Sequence, residues 1–472
     1  MEHIKTDICI IGAGSGGLSI AAGAVQMGAS VVLIEAAEMG GDCLNAGCVP
    51  SKALIAAAKH AHAMTTGGPF GVSPVTPKVD FGAVKDHVAR VIETIAPVDS
   101  QERFEGLGVR VIRASGKFTS PTTVEAGNHR ITARRFVIAT GSRPFVPPIP
   151  GVDTVPYLTN ETIFALRDQP EDLIVIGGGP IGMEMAQAHQ RLGCKVTVVE
   201  GAKAFGRDDP EMAGVVLSRM RAEGVEILEE APVVKISGKP GAIEVHIKDG
   251  RTVTGSHLLM AVGRQVSLDG LDLDKAGVEH TRRGVTVGPN LRSSNKRVYA
   301  VGDAAGGLQF THVAGYHAGI VIRQILFGLP SKASTHHIPW ATYTDPELAQ
   351  VGLTEAEARK EHGIHLQVLR FPYHENDRAQ AEGKTEGLIK VMVHKGRPVG
   401  VSIAGAQAGE LIGLWALAIA SKLKMGAIAG TVLPYPTLSE VSKRAAGAYF
   451  SPTLFDNPTV KRVVGLVQRY LP

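Results

Sequence analysis

Two stretches of this chain repeat one local pattern, and that duplication limits its possible folds more than any other feature. Residues 7–12, D-I-C-I-I-G, read as a buried strand running into G-A-G-S-G-G, which puts Gly12, Gly14 and Gly17 in G-x-G-x-x-G spacing. A helix is expected over Leu18 to Met27, then a strand V-V-L-I ending at Glu35, 23 residues beyond Gly12. The pattern returns as L-I-V-I-G-G-G-P-I-G, with Gly177, Gly179 and Gly182, a helix through Leu192, and V-T-V-V ending at Glu200, again 23 residues beyond the first glycine. In such a βαβ unit the first glycine makes a tight turn, the second admits a pyrophosphate and the third lets helix and sheet approach closely. The helix N-terminus supplies N–H donors and positive potential for phosphate, and the acid accepts from an adenosine ribose. Two complete signatures imply two dinucleotides, each in its own domain. Glu200 would repel a 2′-phosphate, so the second site is expected to prefer NADH over NADPH. Arg207 lies beyond the usual strand-end position and is only a modest counter-signal.

The segment after the first unit, G-G-D-C-L-N-A-G-C-V-P-S-K from Gly40 to Lys52, holds two of the four cysteines, Cys43 and Cys48. Its placement suggests a dithiol or disulfide held against a bound cofactor. Residues five apart on an ideal helix are separated by ~7.5 Å along the axis, so a bridge needs an irregular first turn. The glycine and asparagine between the cysteines permit one. Helix-terminal N–H groups would stabilise a thiolate there. Lys52 stands four residues beyond Cys48 on the same helical face, either as a solvated lysine or as a charge that steadies anionic states. Zinc is poorly supported because two further suitably spaced ligands are missing, so no metal site is expected. Cys9 and Cys194 lie in apolar contexts and read as buried small hydrophobes, and four cysteines are too few for a secreted disulfide scaffold.

At 472 residues the chain exceeds one hydrophobic core, and two to four domains are expected. Its 49 basic and 45 acidic side chains include no dense basic block, which argues against nucleic acid as a partner. The apolar run from Ile8 to Ile34 is broken by glycines and ends beside Glu35, which fits a βαβ unit better than a signal or membrane segment. No membrane insertion and a reducing, cytoplasmic setting are expected. A helix should continue from Ala53 to Met64, with His60 and His62 on its surface, and a long amphipathic helix is expected from about Phe81 to Phe104. Gly141, in the A-T-G-S-R-P run after a buried strand, would pass close to a cofactor. Pro144, Pro147, Pro148 and Pro150 mark a crossover between domains. Glu184, just inside the second helix, is either a charge at a helix N-terminus or an inward partner for Lys52. Asp303, ending R-V-Y-A-V-G-D, would either bond a ribityl chain or cap the next helix, expected from His312 to Phe327. From Ile338 the chain turns mixed: a helix at 354–362, antiparallel strands near 364–371 and 388–404, and an apolar helix at 408–423. The final K-R-V-V-G-L-V-Q-R reads as a solvated helix rather than a nucleic-acid patch.

Taken in order, these motifs resemble the FAD-dependent pyridine nucleotide–disulfide oxidoreductases, the group of dihydrolipoamide dehydrogenase, glutathione reductase and mercuric reductase, over almost the full length. The resemblance implies an α/β fold with two Rossmann-like dinucleotide-binding domains plus a mixed α+β C-terminal dimerisation domain. The expected divisions are an FAD domain at 1–150, an NAD(P) domain at 151–270, a central domain at 271–337 completing the FAD site, and an interface domain at 338–472. It implies bound FAD, contacted by Gly12, Gly14, Gly17, Glu35, Gly141 and Asp303, and a nicotinamide cofactor contacted by Gly177, Gly179, Gly182 and Glu200. It further implies that Cys48 is the thiol nearest the flavin and Cys43 the interchange thiol that attacks substrate, with Lys52 and Glu184 as a flavin-side ion pair, in a homodimer whose sites draw on both subunits. The C-terminus departs from the pattern. Disulfide-reducing relatives carry His-Pro-Thr and a later Glu; here the stretch is Tyr435-Pro436-Thr437-Leu438-Ser439-Glu440. A phenol with pKa ~10 is a poor general base near neutrality, and Glu440 would have no imidazole to orient. Mercuric reductases also lack that histidine but carry a C-terminal cysteine pair, and this chain has no cysteine after Cys194. The expectation is an NAD(P)H-dependent flavoenzyme whose Cys43–Cys48 disulfide serves a small-molecule disulfide or thiophilic acceptor. Mercuric-reductase-like metal reduction, dihydrolipoamide-dehydrogenase-like activity and a noncatalytic redox-responsive flavoprotein stand as alternatives.

Overall fold

Strand β1 (Glu2–Ile11) ends in Ile8-Cys9-Ile10-Ile11, all four buried, the unbroken apolar run of a parallel strand covered on both faces. It is followed by α1 (Ser15–Gln26) and β2 (Val31–Glu35), and β2 returns parallel to β1 with Ile8 opposite Val31 and Ile11 opposite Ile34. The computed structural model describes residues 1–471. They form two compact units, one of Met1–Gly68, Val72–Ala202 and Glu226–Ser334, the other of Pro69–Gly71, Lys203–Val225 and the chain from Thr335 onward.

In the first unit, the helices α2 (Gly41–Asn45), α3 (Cys48–Thr65), α4 (Phe81–Ile95) and α5 (Gln101–Gly106) lead to β3 (Arg110–Arg113), β4 (Gly116–Ser120), β5 (Thr123–Ala126) and β6 (His129–Ile138). The sheet order is β3-β2-β1-β6-β5-β4. β6 pairs with β1 along its whole length and shares its other edge between β5, antiparallel at His129–Thr132, and the strand Val298–Ala300, parallel at Phe136–Ile138. That late strand brings Asp303 to the end of the sheet begun by β1. A second, four-stranded parallel sheet runs Glu226–Leu228, Lys195–Val199, Asp172–Ile176, His257–Met260, with the helix Pro180–Arg191 joining its central pair.

One expectation fails here. The single helix over Phe81 to Phe104 is two helices, parted by a 3-10 turn at Ala96–Asp99. Pro97 has no N–H to continue the ladder, and the Ser100 hydroxyl accepts from the Arg103 N–H at 3.2 Å, starting α5 afresh.

The second unit holds a five-stranded antiparallel sheet, ordered Pro339–Thr342, Glu347–Gly352, Arg397–Gly405, Leu388–His394, Leu366–Pro372. The apolar helix Ala408–Ala420 packs on it, with Trp415 fully buried and its indole N–H donating to Ser442 at 3.0 Å. Lys390, 3% exposed at its side chain, lies within 2.9 Å of Asp209, Glu211 and Glu355. A buried ammonium is tolerated because three carboxylates surround it. Among the described residues, no helix is long and apolar enough to cross a membrane.

Candidate active site

Each glycine of the two fingerprints can be tested by asking what a methyl group would meet. At Gly12 an added Cβ would stand 2.3 Å from the Ala139 carbonyl oxygen, and at Gly17 1.9 Å from that of Gly12. The second fingerprint repeats these collisions at Gly177 (2.3 Å from Ala261 O) and Gly182 (2.0 Å from Gly177 O). Those four glycines are required by the protein's own backbone. Gly14 differs, its nearest neighbour being Gly41 Cα at 3.9 Å, and Gly179 and Gly141 meet nothing within 4 Å. No protein atom crowds these three positions, although the left-handed backbone at Gly141 (φ 65°) itself favours glycine, and the open space at Gly14 and Gly179 suits a ligand's backbone approach. Gly14 and Gly179 N-cap twelve-residue helices with no side-chain cap, leaving first-turn N–H groups for phosphate. Glu35 accepts from the N–H groups of Ala13 (2.6 Å) and Ala37 (2.7 Å), and Glu200 from Gly178 (2.7 Å) and Ala202 (2.8 Å). Each carboxylate is fixed at its strand end with lone pairs to spare. Both sites therefore fit a dinucleotide.

The dithiol lies where the first unit's helices break. Cys43 belongs to α2 and Cys48 opens α3, with Ala46 and Gly47 non-helical between them. A Cβ at Gly47 would come within 2.8 Å of the Asp42 carboxylate and 2.9 Å of its carbonyl oxygen, so the break depends on glycine. Asn45 secures the approach by donating to Met39 O (3.0 Å) and Gly41 O (2.9 Å). This irregular turn removes the spacing problem of a continuous helix. The two cysteines are not disulfide-bonded and lie close enough for their ionisations to be coupled.

Their acidities are driven apart. The hydrogen bond from Cys43 pulls Cys48 down to about 6, against burial, with help from the Thr311 hydroxyl and the Lys52 charge. Cys43 is pushed up by that same hydrogen bond and by burial. The first proton to leave the pair therefore comes from Cys48, with Cys43 as the remaining thiol donor. The Thr311 Oγ1 stands 3.3 Å from Cys48 Sγ, at the start of the helix Thr311–Phe327. No spacing rule singles out Thr311; its one signal is its place at a helix N-terminus shortly after Asp303.

Lys52 and Glu184, 132 residues apart, meet with Nζ–Oε2 at 2.8 Å. Glu184 is 5% exposed, so of its two readings the inward one holds. Asp303 does not cap the following helix, whose N-cap is Phe310. Instead it accepts from the Ser142 hydroxyl at 2.5 Å, and burial raises its pKa. Ser142 in turn accepts from Arg264 Nε at 2.7 Å, and Arg264 reaches Asp42 at 3.2 Å, where Asn160 also donates at 3.0 Å. This chain of four polar side chains connects Asp303 to the residue beside Cys43, and sequence reasoning missed all of it except Asp303. Cys9 and Cys194 are buried, with thiol pKa values raised by burial.

In the second unit Tyr435 is 68% exposed and its hydroxyl donates to Asp377 at 2.5 Å, which raises the phenol's pKa further. Glu440 begins the helix Glu440–Ala448.

Residues 6–318 match the family model described as pyridine nucleotide-disulphide oxidoreductase, and residues 338–446 match that family's dimerisation domain. The chain is 33% identical to a mercuric reductase of Streptomyces lividans, covering 95% of this chain and 97% of that one. It is also 33% identical to a dihydrolipoyl dehydrogenase of Bacillus subtilis, covering 94% and 96%. Among solved structures, the Cu(II) complex of the HOCl-induced flavoprotein disulfide reductase RclA from Escherichia coli superposes with a TM-score of 0.84 at 27% identity, over 94% of this chain and 99% of that one. With both dinucleotide cradles, the dithiol between two helices and the dimerisation domain accounted for, the chain belongs to the FAD-dependent pyridine nucleotide-disulphide oxidoreductases, enzymes that pass electrons from NAD(P)H to an acceptor through a redox-active disulfide.

Proposed function

We propose that this enzyme is an NADH-preferring reductase of a small disulfide or other thiophilic compound outside the lipoamide class. The observation that carries the reading is the opposed acidity of the two thiols, with Cys48 held near pKa 6 and Cys43 kept protonated. In it, Gly12, Gly14, Gly17, Glu35, Gly141 and Asp303 hold FAD, and Gly177, Gly179, Gly182 and Glu200 hold NADH. FAD bound there supplies two-electron exchange between a hydride donor and the dithiol. Cys48 retains the thiolate, with Lys52 nearby as a compensating cation and Glu184 holding that ammonium in place. Cys43 is the interchange thiol: it passes its proton to the Cys48 thiolate as it attacks one sulfur of a disulfide acceptor and expels the first product thiolate. Cys48 then attacks Cys43 in the mixed disulfide, closes the Cys43–Cys48 disulfide and expels the second product thiol, its own proton passing to the product. Tyr435 and Glu440 serve the acceptor side in a homodimer, with Tyr435, its hydroxyl donated to Asp377, acting neither as a base nor as an efficient acid. The domain divisions that go with this reading are 1–150, 151–270, 271–337 and 338–472.

Anaerobic titration of the purified flavoprotein with NADH and with NADPH tests it. The expected result is a long-wavelength absorbance band after two-electron reduction, lost in Cys48→Ser, and reached at lower NADH than NADPH. No band, or an unchanged band in Cys48→Ser, refutes the dithiol assignment. A second reading, reduction of a soft metal ion, draws support from the mercuric reductase relatives and from the exposed Cys48 beside Cys43. NADH oxidation with Hg²⁺ in excess thiol, compared with a panel of disulfides, separates the two.

A further inference from the structure

The chain continues past the segment matched by the dimerisation model, which ends at residue 446, into the helices Ser451–Phe455 and Pro458–Tyr470. The last helix has a defined start, with Asn457 accepting from the N–H groups of Thr459 and Val460 and Pro458 in its first turn. Yet none of its residues is buried. At 100° per residue, Val460, Val463, Val464, Leu466, Val467 and Tyr470 share one arc, while Lys461, Arg462, Gln468 and Arg469 occupy the other. Leu454 and Phe455, exposed just before it, are also apolar. Thirteen residues that include four valines and Gly465 make a poor helix in water by intrinsic propensity. Such a helix needs an apolar surface to lie on.

The charges indicate which surface. Residues 458–471 carry three cations and no acid, so the same helix of a second copy would set cations against cations. A basic, amphipathic helix too short and too polar to span a bilayer suits the plane of an anionic headgroup layer. We propose that Pro458–Tyr470 is a membrane-surface anchor that holds this reductase on bilayers containing anionic phospholipid, with the valine arc in the acyl boundary and Lys461, Arg462 and Arg469 among the phosphates. A homodimer would present two such helices and bind with correspondingly higher avidity.

The test is sedimentation of the full-length flavoprotein with phosphatidylglycerol/phosphatidylcholine vesicles and with phosphatidylcholine vesicles alone. Binding is expected only to the former, weakening as salt rises. Removing three cations in Lys461→Ala/Arg462→Ala/Arg469→Ala should lower the partition coefficient on the order of 100-fold, and Val464→Asp/Val467→Asp should abolish binding. Flavin absorbance and NADH oxidation in solution, unchanged in both variants, show that they are folded. No binding to the anionic vesicles, or binding that Val464→Asp/Val467→Asp leaves intact, overturns the proposal. So does dissociation of the dimer by that double substitution, which would mean that a second copy covers the valine face.

Discussion

The 3.3 Å contact between the Thr311 hydroxyl and Cys48 Sγ gives a quantitative test of how the dithiol is poised. In Thr311→Val the side chain keeps its shape but loses its donor. A hydrogen bond to a charged acceptor contributes about 1.5–3 kcal/mol, and one pKa unit corresponds to about 1.4 kcal/mol. Loss of the donor should therefore raise the first ionisation of the reduced pair from about 6 to roughly 7–8. The shift belongs to the pair, since the two thiols share their protons. The assay is the pH dependence of iodoacetamide alkylation in the NADH-reduced enzyme, with Cys43→Ser as background. Thr311→Ser, which restores the donor, should return the midpoint toward that of the wild type. A midpoint in Thr311→Val within about 0.3 units of the wild type would refute the argument, since that is far below the loss of one charge-assisted hydrogen bond.

Two other outcomes follow from the geometry. Gly177→Ala puts a methyl 2.3 Å from the Ala261 carbonyl and should lower thermal stability by ~1–3 kcal/mol or more, whereas Gly179→Ala, which meets no protein atom, should leave the melting temperature unchanged and raise KM for NADH. Equal melting temperatures for the two variants would remove the distinction between backbone-required and ligand-facing glycines. Lys85 is 3% exposed, donates to Ile163 O at 3.0 Å, and is lowered to about 8 by burial. Between pH 8 and 10.5 the unfolded chain binds this proton and the folded one does not, so stability rises with pH across that window and the full penalty, about 3 kcal/mol, applies below it. Lys85→Met should flatten this rise and raise the melting temperature at pH 7; parallel pH profiles would refute it.

How much of this could be read from sequence depends on whether a feature is local. The two βαβ units were legible because their period, glycine spacing and strand-end acids lie within some two dozen residues, and backbone collisions at Gly12, Gly17, Gly177 and Gly182 allow no other residue. An irregular turn between Cys43 and Cys48 is permitted by local sequence for a similar reason, since Gly47 and Asn45 are inside it. What local spacing left open is decided by tertiary packing. Glu184 could have faced solvent at a helix start, and only the packing of α3 against the helix Pro180–Arg191 brings it to Lys52. The chain from Asp42 through Arg264 and Ser142 to Asp303 joins four segments, and no pairwise spacing encodes it. The helix expected over 81–104 failed where periodicity outweighed a single Pro97, whose lost donor the fold absorbs with a 3-10 turn.

If Tyr435 serves the acceptor side as proposed, its effect should appear in the leaving group. When Cys43 attacks a disulfide, the expelled sulfur leaves as a thiolate unless something protonates it. With its hydroxyl committed to Asp377 and its pKa raised, Tyr435 is a weak acid near neutrality and gives that thiolate little assistance. Rates should then depend strongly on the acidity of the expelled thiol. If sensitivity to the leaving group matches that to the nucleophile, ~0.4–0.5 per pKa unit, an aromatic disulfide whose thiol is about four units more acidic should react roughly 50-fold faster than an aliphatic one. Tyr435→His supplies an imidazole that titrates near pH 6.5 and can donate its proton to the departing sulfur. The same series should flatten to within roughly tenfold, chiefly by acceleration of the aliphatic members. The measurement is kcat/KM for a graded set of symmetrical disulfides at saturating NADH, with both proteins at one pH. If the two slopes coincide, Tyr435 does not stand where an acceptor's leaving sulfur departs, and the chemical role assigned to Tyr435 and Glu440 is wrong even though the dithiol assignment stands.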